Sequence, residues 1–453
     1  MNIINNDLNR LIAWLNIILH ERISDQIFLS LNNSENKKWI ISTNSSSKKI
    51  YIDYNPNLYI VGYQPNLPCS EIKLDNKFFK SIYNNLPSPG NRIIRKEIIS
   101  YSQSDYYLNY DILGLIFWML SRAEEIKPLK FLLDKHNRFD YRFSHAYLNG
   151  YLSRPIVDEW ILFLGELIEY VFKDIKVRRD NYRICPTHDV DRPRKFSLIS
   201  KQRLIKNFTE SIIEEPNIIL NYFSNKLRIK SKYKDPYNTF DWILDLSNKY
   251  NLINEFYFMT SHNNWRYDTG YNINHPIMLD LLNKVSEKGH IIGLHPSYSS
   301  TNNPSYFISQ ANKFKALLIK QNIKQKRLGG RMHYLRFNHP ETAYTWNYAG
   351  FSYDSSLGYA SSPGFRCGTC KEYPLFDPIS FNILDLRERP LILMDVSLEE
   401  QYVNSNLLDS SLECVDNLKR SCKKVSGNFT FLWHNCNLES DINRRLYEHI
   451  ISN

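Results

Sequence analysis

Asp189 and Asp191 stand two positions apart in Thr187-His188-Asp189-Val190-Asp191, a spacing that lets two carboxylates share one site. The residues before them, Arg183-Ile184-Cys185-Pro186, read as a strand, and a strand turns alternate side chains to the same face. Two carboxylates on one face at a strand's end repel each other unless a cation or a shared proton relieves them. One can then hold a metal while the other handles protons. The plain alternative is a solvated turn, since Asp and Pro are ordinary loop formers. Three later segments add chemistry. Lys288-Gly289-His290-Ile291-Ile292-Gly293-Leu294-His295 puts Ile291, Gly293 and His295 on one strand face, Phe431-Leu432-Trp433-His434 ends an apolar run with a histidine, and Gly329-Gly330-Arg331-Met332-His333-Tyr334-Leu335-Arg336 gathers two arginines and a histidine in one loop.

These residues need strands to carry them. From about residue 180 the chain alternates strand and helix patterns, which points to an α/β layout with parallel strands. The expected strands are Arg183–Thr187, Glu255–Met259, His290–His295, Leu391–Val396 and Phe429–His434, with helices over Phe240–Tyr250 and Tyr306–Lys320. In the second helix Phe307, Ala311, Phe314 and Leu318 line one face. Asp189, His295 and His434 fall at the C-terminal ends of strands, where an α/β barrel gathers its site. Before residue 175 the pattern is mixed. Strands are expected over Lys38–Ile41 and Lys49–Tyr54, a buried helix over Asp111–Glu125, and a further helix over Pro155–Phe172 with Ile156, Trp160, Leu164 and Ile168 every four residues. The charged joint Lys173–Asp180 sets the expected boundary between an N-terminal domain, 1–178, and a second domain, 179–453.

Composition narrows the class. Hydrophobic residues make up 43% of the 453 and aromatics 14%, enough for sizeable cores and against disorder. The formal charge of +10 would suit a polyanion, but a chain rich in Asn, Lys, Ile and Tyr gains lysines without any partner. A basic run, Lys226, Arg228, Lys230, Lys232 and Lys234, reads as a solvated face. No phosphate-binding glycine loop and no nucleic-acid module occurs, so no nucleic-acid partner is expected. The N-terminus lacks the pattern of a signal peptide, and no run of 18 apolar residues exists. A soluble, cytoplasmic protein is expected, with peripheral membrane contact left open. Seven scattered cysteines form no disulfide framework, and Cys367-Gly368-Thr369-Cys370 lacks the second pair a zinc knuckle needs.

With these motifs in order, residues 180 to 440 resemble the polysaccharide deacetylases of carbohydrate esterase family 4. Leu120-Ser121-Arg122-Ala123-Glu124-Glu125, Asn137-Arg138-Phe139 and Arg154-Pro155-Ile156-Val157-Asp158-Glu159 resemble an uncharacterised domain that precedes such enzymes in bacterial surface-polysaccharide gene sets. The resemblance implies a distorted, incomplete (β/α) barrel preceded by a smaller mixed α+β domain. It implies a metal-dependent hydrolase of carbon–nitrogen bonds that removes an N-acetyl or O-acetyl group from a glycan or sugar intermediate. On this resemblance Asp189 is the general base, Asp191 and His295 are metal ligands, Arg331 steers the base, Asp354 matches a later motif, and His434 is the general acid, held by Asp354 or Asp395. The implied cofactor is a divalent cation, zinc first, with cobalt or manganese as alternatives.

The chain departs from the family at two places. Ser299 stands where the second histidine of the metal motif is expected, and His333 replaces the proline of the Arg-x-Pro-Tyr motif. Three readings stay open: His333 supplies the third ligand, Ser299 or water completes a weaker site, or the metal is lost and the protein binds glycan or assists its assembly. His333 is the expected third ligand. Arg366, in the Gly364-Phe365-Arg366 stretch, is expected to contact a glycan hydroxyl or carboxylate.

Overall fold

The structure, a computed structural model, describes residues 5–32, 36–74, 84–91, 97–195, 198, 235–264, 266–268, 270–402 and 407–452. The basic run Lys226–Lys234 lies outside them.

An amphipathic helix, α1 (Asn5–Arg22), opens the chain and is followed by β1 (Ile27–Leu31), β2 (Lys38–Thr43) and β3 (Ser46–Asp53). Then come β4 (Cys69–Lys73), β5 (Asn85–Pro89), β6 (Ile99–Ser102) and β7 (Asp105–Leu108). Strands 1, 2, 3, 7 and 6 form one sheet in that order, and β4 and β5 form an antiparallel pair. Alternating burial along β2, with Trp39 and Ile41 inward, gives that sheet one apolar face. In this part of the chain α1 packs against β1 and α4 (Ile156–Val171) against β3 and β5, while α2 (Ile112–Leu120) packs on α4 and the short α3 (His145–Leu148) lies between them in sequence. The apolar run expected to be helical to Glu125 stops at Leu120, because Arg122 takes a left-handed φ of 50°. In α4 the four residues spaced by four, Ile156, Trp160, Leu164 and Ile168, are all fully buried.

The second half supplies β8 (Arg183–Val190), α5 (Phe240–Tyr250), β9 (Glu255–Phe258), α6 (Pro276–Glu287), β10 (Ile291–Leu294) and α7 (Pro304–Lys320). Next are β11 (Gly329–Gly330), α8 (Glu341–Tyr348), β12 (Tyr353–Asp354), β13 (Tyr373–Asp377), β14 (Asn382–Glu388) and β15 (Leu393–Met394). The chain closes with α9 (Asp395–Tyr402), α10 (Leu407–Lys424), β16 (Asn428–Leu432) and α11 (Asp441–Ile451). Nine strands pair in the order β13-β14-β12-β11-β10-β9-β8-β16-β15, every ladder parallel except β13 with β14. The protein is thus a mixed α/β structure. The expected strand Leu391–Val396 is shorter than its apolar run, because Asp395 opens α9.

The sheet is strongly curved. Three ladders separate β8 from β11, about 14 Å in a flat sheet, yet Arg331 Nη1 donates to Thr187 Oγ1 at 2.9 Å. Near the two ends, Arg389 N bonds the Asp354 carbonyl at 2.8 Å and Ile392 N the Thr430 carbonyl at 3.0 Å, so four residues lead from the β12 side to the β16 side. Within the curve Leu335, Leu391, Met394 and Leu432 meet in a small apolar cluster.

Both halves contribute to one connected core. Trp14 stacks on Phe376 with centroids 4.7 Å apart and donates to the Pro374 carbonyl at 2.9 Å. Asp158 takes Arg22 at 2.7 Å, Thr369 Oγ1 at 2.7 Å and Cys370 N at 2.8 Å. Burial pushes the Cys367 thiol up to about 12, so it stays neutral, and both cysteines of the Cys-x-x-Cys are buried.

Candidate metal centre

Asp189 is the penultimate residue of β8, and Asp191 follows the strand. His295 follows β10, Arg331 and His333 follow β11, and His434 lies two residues past β16. All these strands are parallel neighbours in one curved sheet, so their C-terminal ends converge. Two glycines make this possible. A Cβ on Gly329 would lie 2.2 Å from the Tyr353 ring, and one on Gly330 would lie 2.0 Å from the Leu294 carbonyl oxygen. Only glycine lets β11 approach its neighbours closely enough to deliver Arg331 and His333.

Asp191, His295 and His333 offer ligand atoms that all lie within 4.8 Å of one another. The ring orientations are determined by their partners. His295 Nδ1 is 2.6 Å from the Arg331 carbonyl, which can only accept, so Nδ1 carries the hydrogen. Its Nε2 therefore presents a lone pair, 3.3 Å from Asp191 Oδ1 and 3.7 Å from Asp189 Oδ2, and makes no hydrogen bond although buried. His333 repeats the arrangement: Nδ1 faces Asp268 Oδ1 at 3.1 Å, and Nε2 faces Asp191 Oδ2 at 3.4 Å. A lone pair aimed at a carboxylate calls for a proton or a cation between them. Imidazoles anchored through Nδ1 with Nε2 converging on a carboxylate are the pattern of metal ligands with an outer shell. The donor set of two nitrogens and a carboxylate suits a divalent cation such as zinc.

The charges agree. Burial pushes the Asp191 carboxyl up, but His333 and His295 outweigh it and hold it well below the ordinary range. Burial pulls His333 down, but Asp191 and Asp268 raise it to about 9. Beside the cluster, buried Arg331 donates from Nη1 to Asp189 Oδ1 at 2.9 Å. Its Nε and Nη2 are held by the carbonyl and hydroxyl of Ser355 at 2.7 and 2.9 Å, and its plane lies 4.9 Å from the Tyr257 ring. Asp189 Oδ2 is left turned toward His295. On the other side, His434 Nδ1 is 2.9 Å from Asp395 Oδ1 and its Nε2 is 3.8 Å from Asp191 Oδ2. Burial lowers this imidazole, but Asp395, Asp191 and Asp189 raise it to about 10. Asp395 also accepts from the backbone of His434 and Val396 and from Asn437.

The structure thus gathers Asp189, Asp191, His295, Arg331, His333 and His434. Asp354 stands apart. Its carboxylate takes Ser356 N at 2.8 Å and Ser356 Oγ at 2.7 Å, and that hydroxyl accepts from Met332 N at 2.8 Å. Burial raises Asp354 to about 6 and raises its neighbour Glu388 as well, so the pair favours a shared proton behind the loop. Asp395, not Asp354, holds the imidazole of His434. Ser299 lies in the 3-10 turn Tyr298–Asn302. The expectation that Arg366 contacts glycan is corrected: it is buried, with Nε and Nη2 on the Glu125 carboxylate at 3.0 and 2.6 Å. Asp268 was not foreseen, since it lies in an irregular Asn- and Tyr-rich loop without period.

Next to the ligands, Tyr334 and Leu335 both adopt left-handed backbone, φ 62° and 55°. Each costs about 1–2 kcal/mol for a residue with a side chain, so the surroundings must hold that turn.

Residues 3–173 match the model of a family of unknown function, DUF7033. No curated protein matches the chain. Among solved structures, a candidate polysaccharide deacetylase from Mycobacterium smegmatis matches with a TM-score of 0.39 and 13% identity, over 60% of this chain and 83% of that one. A likeness that distant carries no argument.

Proposed function

We propose that the chain is a metal-dependent deacetylase that hydrolyses the N-acetyl (or O-acetyl) group of a sugar in bacterial surface-polysaccharide synthesis. The observation that carries this reading is the convergence of His295 Nε2 and His333 Nε2 on Asp191, beside an Asp189–Arg331 pair and a His434–Asp395 pair. The strand order, with β16 and then β15 beside β8 and the sheet ending at β13 and β15, fits an incomplete barrel opened between those two edge strands. Asp191, His295 and His333 would hold the cation. When bound, it supplies a Lewis acid that polarises the acetyl carbonyl and lowers the pKa of the attacking water.

The chain's own residues do the rest. Arg331 ties down Asp189 Oδ1, which leaves Oδ2 to take the proton of the attacking water. Asp395 fixes His434 with Nδ1–H inward, and the surrounding carboxylates keep it protonated through neutral pH. His434 Nε2–H then gives its proton to the leaving nitrogen as the C–N bond breaks, and acetate and a free amine result. The metal-free reading, a glycan-binding protein on the same scaffold, gives no role to the convergence of two buried imidazoles on Asp191, one of which, His295, has an Nε2 without a hydrogen bond.

The test is acetate release from N-acetylglucosamine oligomers and O-acetylated glycans by zinc-loaded protein. The wild type releases acetate, and Asp189→Asn keeps its metal but loses about 10²–10⁴-fold in rate. No acetate from any such glycan by loaded protein, or undiminished rate in Asp189→Asn, would sink the reading.

A further inference from the structure

The reaction above uses nothing from the N-terminal part of the chain, yet one loop of that part reaches the metal centre. Leu133 pairs with Phe139, and the turn between them is stiffened by Asp134, whose carboxylate accepts from His136 N at 2.8 Å, Arg138 N at 3.0 Å and Arg138 Nε at 2.7 Å. From this braced turn, Arg138 Nη1 donates to the Tyr334 carbonyl at 2.8 Å. That carbonyl belongs to the peptide between the two left-handed residues, so fixing it fixes the turn directly after His333.

A second grip comes through Tyr298. His136 Nδ1 lies 3.1 Å from Tyr298 Oη, and buried Arg336 bridges the two segments, with Nε on the His136 carbonyl at 3.0 Å and Nη1 on the Tyr298 carbonyl at 2.6 Å. Tyr298 N donates at 2.9 Å to Asp268 Oδ1, the same oxygen that faces His333 Nδ1. The loop therefore holds His333 from both sides, through the backbone that follows it and through the carboxylate that orients its ring.

We propose that the loop Asp134–Arg138 is a positioning element of the metal centre, with Arg138 the positioning residue for His333. This rests on the metal-centre reading given above. Freed of the clamp, the left-handed pair relaxes toward ordinary backbone and swings His333 away from Asp191. The N-terminal part then belongs to the catalytic unit.

The experiment uses the full chain, wild type, Arg138→Ala, Arg138→Lys and the control Arg142→Ala, which removes an exposed arginine paired with Asp140 on the same segment. Zinc affinity is measured by chelator competition, the ligand field by the visible spectrum of the cobalt form, and folding by thermal unfolding without metal. Arg138→Ala is expected to bind zinc about tenfold more weakly, at the lower end of what outer-shell partners contribute, and to change the cobalt spectrum. Arg142→Ala behaves as wild type. Arg138→Lys, which keeps the charge near Asp134 but cannot serve both partners, falls between, and it decides the matter if Arg138→Ala does not fold. A purely structural role would lower the unfolding temperature and leave affinity and spectrum unmoved, which overturns the proposal. Wild-type protein that binds no metal overturns it together with the deacetylase reading. Tight zinc binding without acetate release overturns that reading alone, and the affinity shift still decides this one.

Discussion

Metal binding must be linked to proton release, and the structure fixes how strongly. In the protein's own field His333 is raised to about 9 by Asp191 and Asp268. At pH 7 its Nε2 therefore carries a proton directed at Asp191 Oδ2, 3.4 Å away. A cation held by the same atoms must displace that proton. Asp191 is already ionised, being held well below the ordinary range, and contributes none. The sign follows: affinity rises with pH as long as His333 is protonated in the free protein, and levels off above about 9. Two units below that point the competition amounts to about 2.7 kcal/mol at 1.36 kcal/mol per unit, a factor of about 100. Between pH 6 and pH 8 the zinc Kd should fall about tenfold per unit. Isothermal titration at pH 7 in two buffers of different ionisation enthalpy should give about one proton released per zinc. His333→Ala should bind more weakly and release almost none. A Kd independent of pH, or an unchanged proton count in His333→Ala, would refute the assignment of His333 as a ligand.

Three further outcomes are expected. Burial pushes Glu125 up, but Arg122 and Arg366 hold it at about 2, so its contribution to stability is complete above pH 4.5 and lost as pH falls through about 2. Glu125→Gln should lower stability by at least about 3 kcal/mol in urea unfolding at pH 7, as breaking a buried pair does, and the gap should narrow below pH 4.5; equal gaps at pH 7 and pH 2.5 would contradict this. Asp395→Asn should bring the His434 imidazole down from about 10 toward 6.5 in a titration of the metal-free protein followed by nuclear magnetic resonance, and an unmoved midpoint would remove Asp395 as its holder. Gly330→Ala, with its Cβ 2.0 Å from the Leu294 carbonyl oxygen, should cost about 2 kcal/mol or more through overpacking and weaken zinc binding, because Arg331 and His333 follow directly; wild-type unfolding and zinc affinity would contradict the close approach.

Much of the site was legible because its residues close apolar strands. Asp189, His295 and His434 each follow a run whose alternation or apolarity marks a strand, and the structure finds β8, β10 and β16 there. His333 was legible as a ligand only through the gap that Ser299 leaves in the resembled motif. What stayed hidden depends on long-range pairing. The strands that curve the sheet, Gly329–Gly330 and Tyr353–Asp354, are two residues long, too short for any period. Arg366 reads as a glycan contact because its partner Glu125 lies 241 residues away in sequence. The apolar run after Asp111 gave no sign that Arg122 would leave the helix to face Glu124 and Glu125. Asp268 and Arg138 act on His333 from irregular loops, where only the folded chain reveals the contact.

The central claim is that Asp191, His295 and His333 together hold one divalent cation. Diffraction at the zinc absorption edge from crystals of the zinc-loaded protein tests it most directly. One anomalous peak is expected, bound by the Asp191 carboxylate and by Nε2 of both histidines. Stoichiometric zinc bound elsewhere, or a peak in contact with Asp191 but not His333, would contradict it.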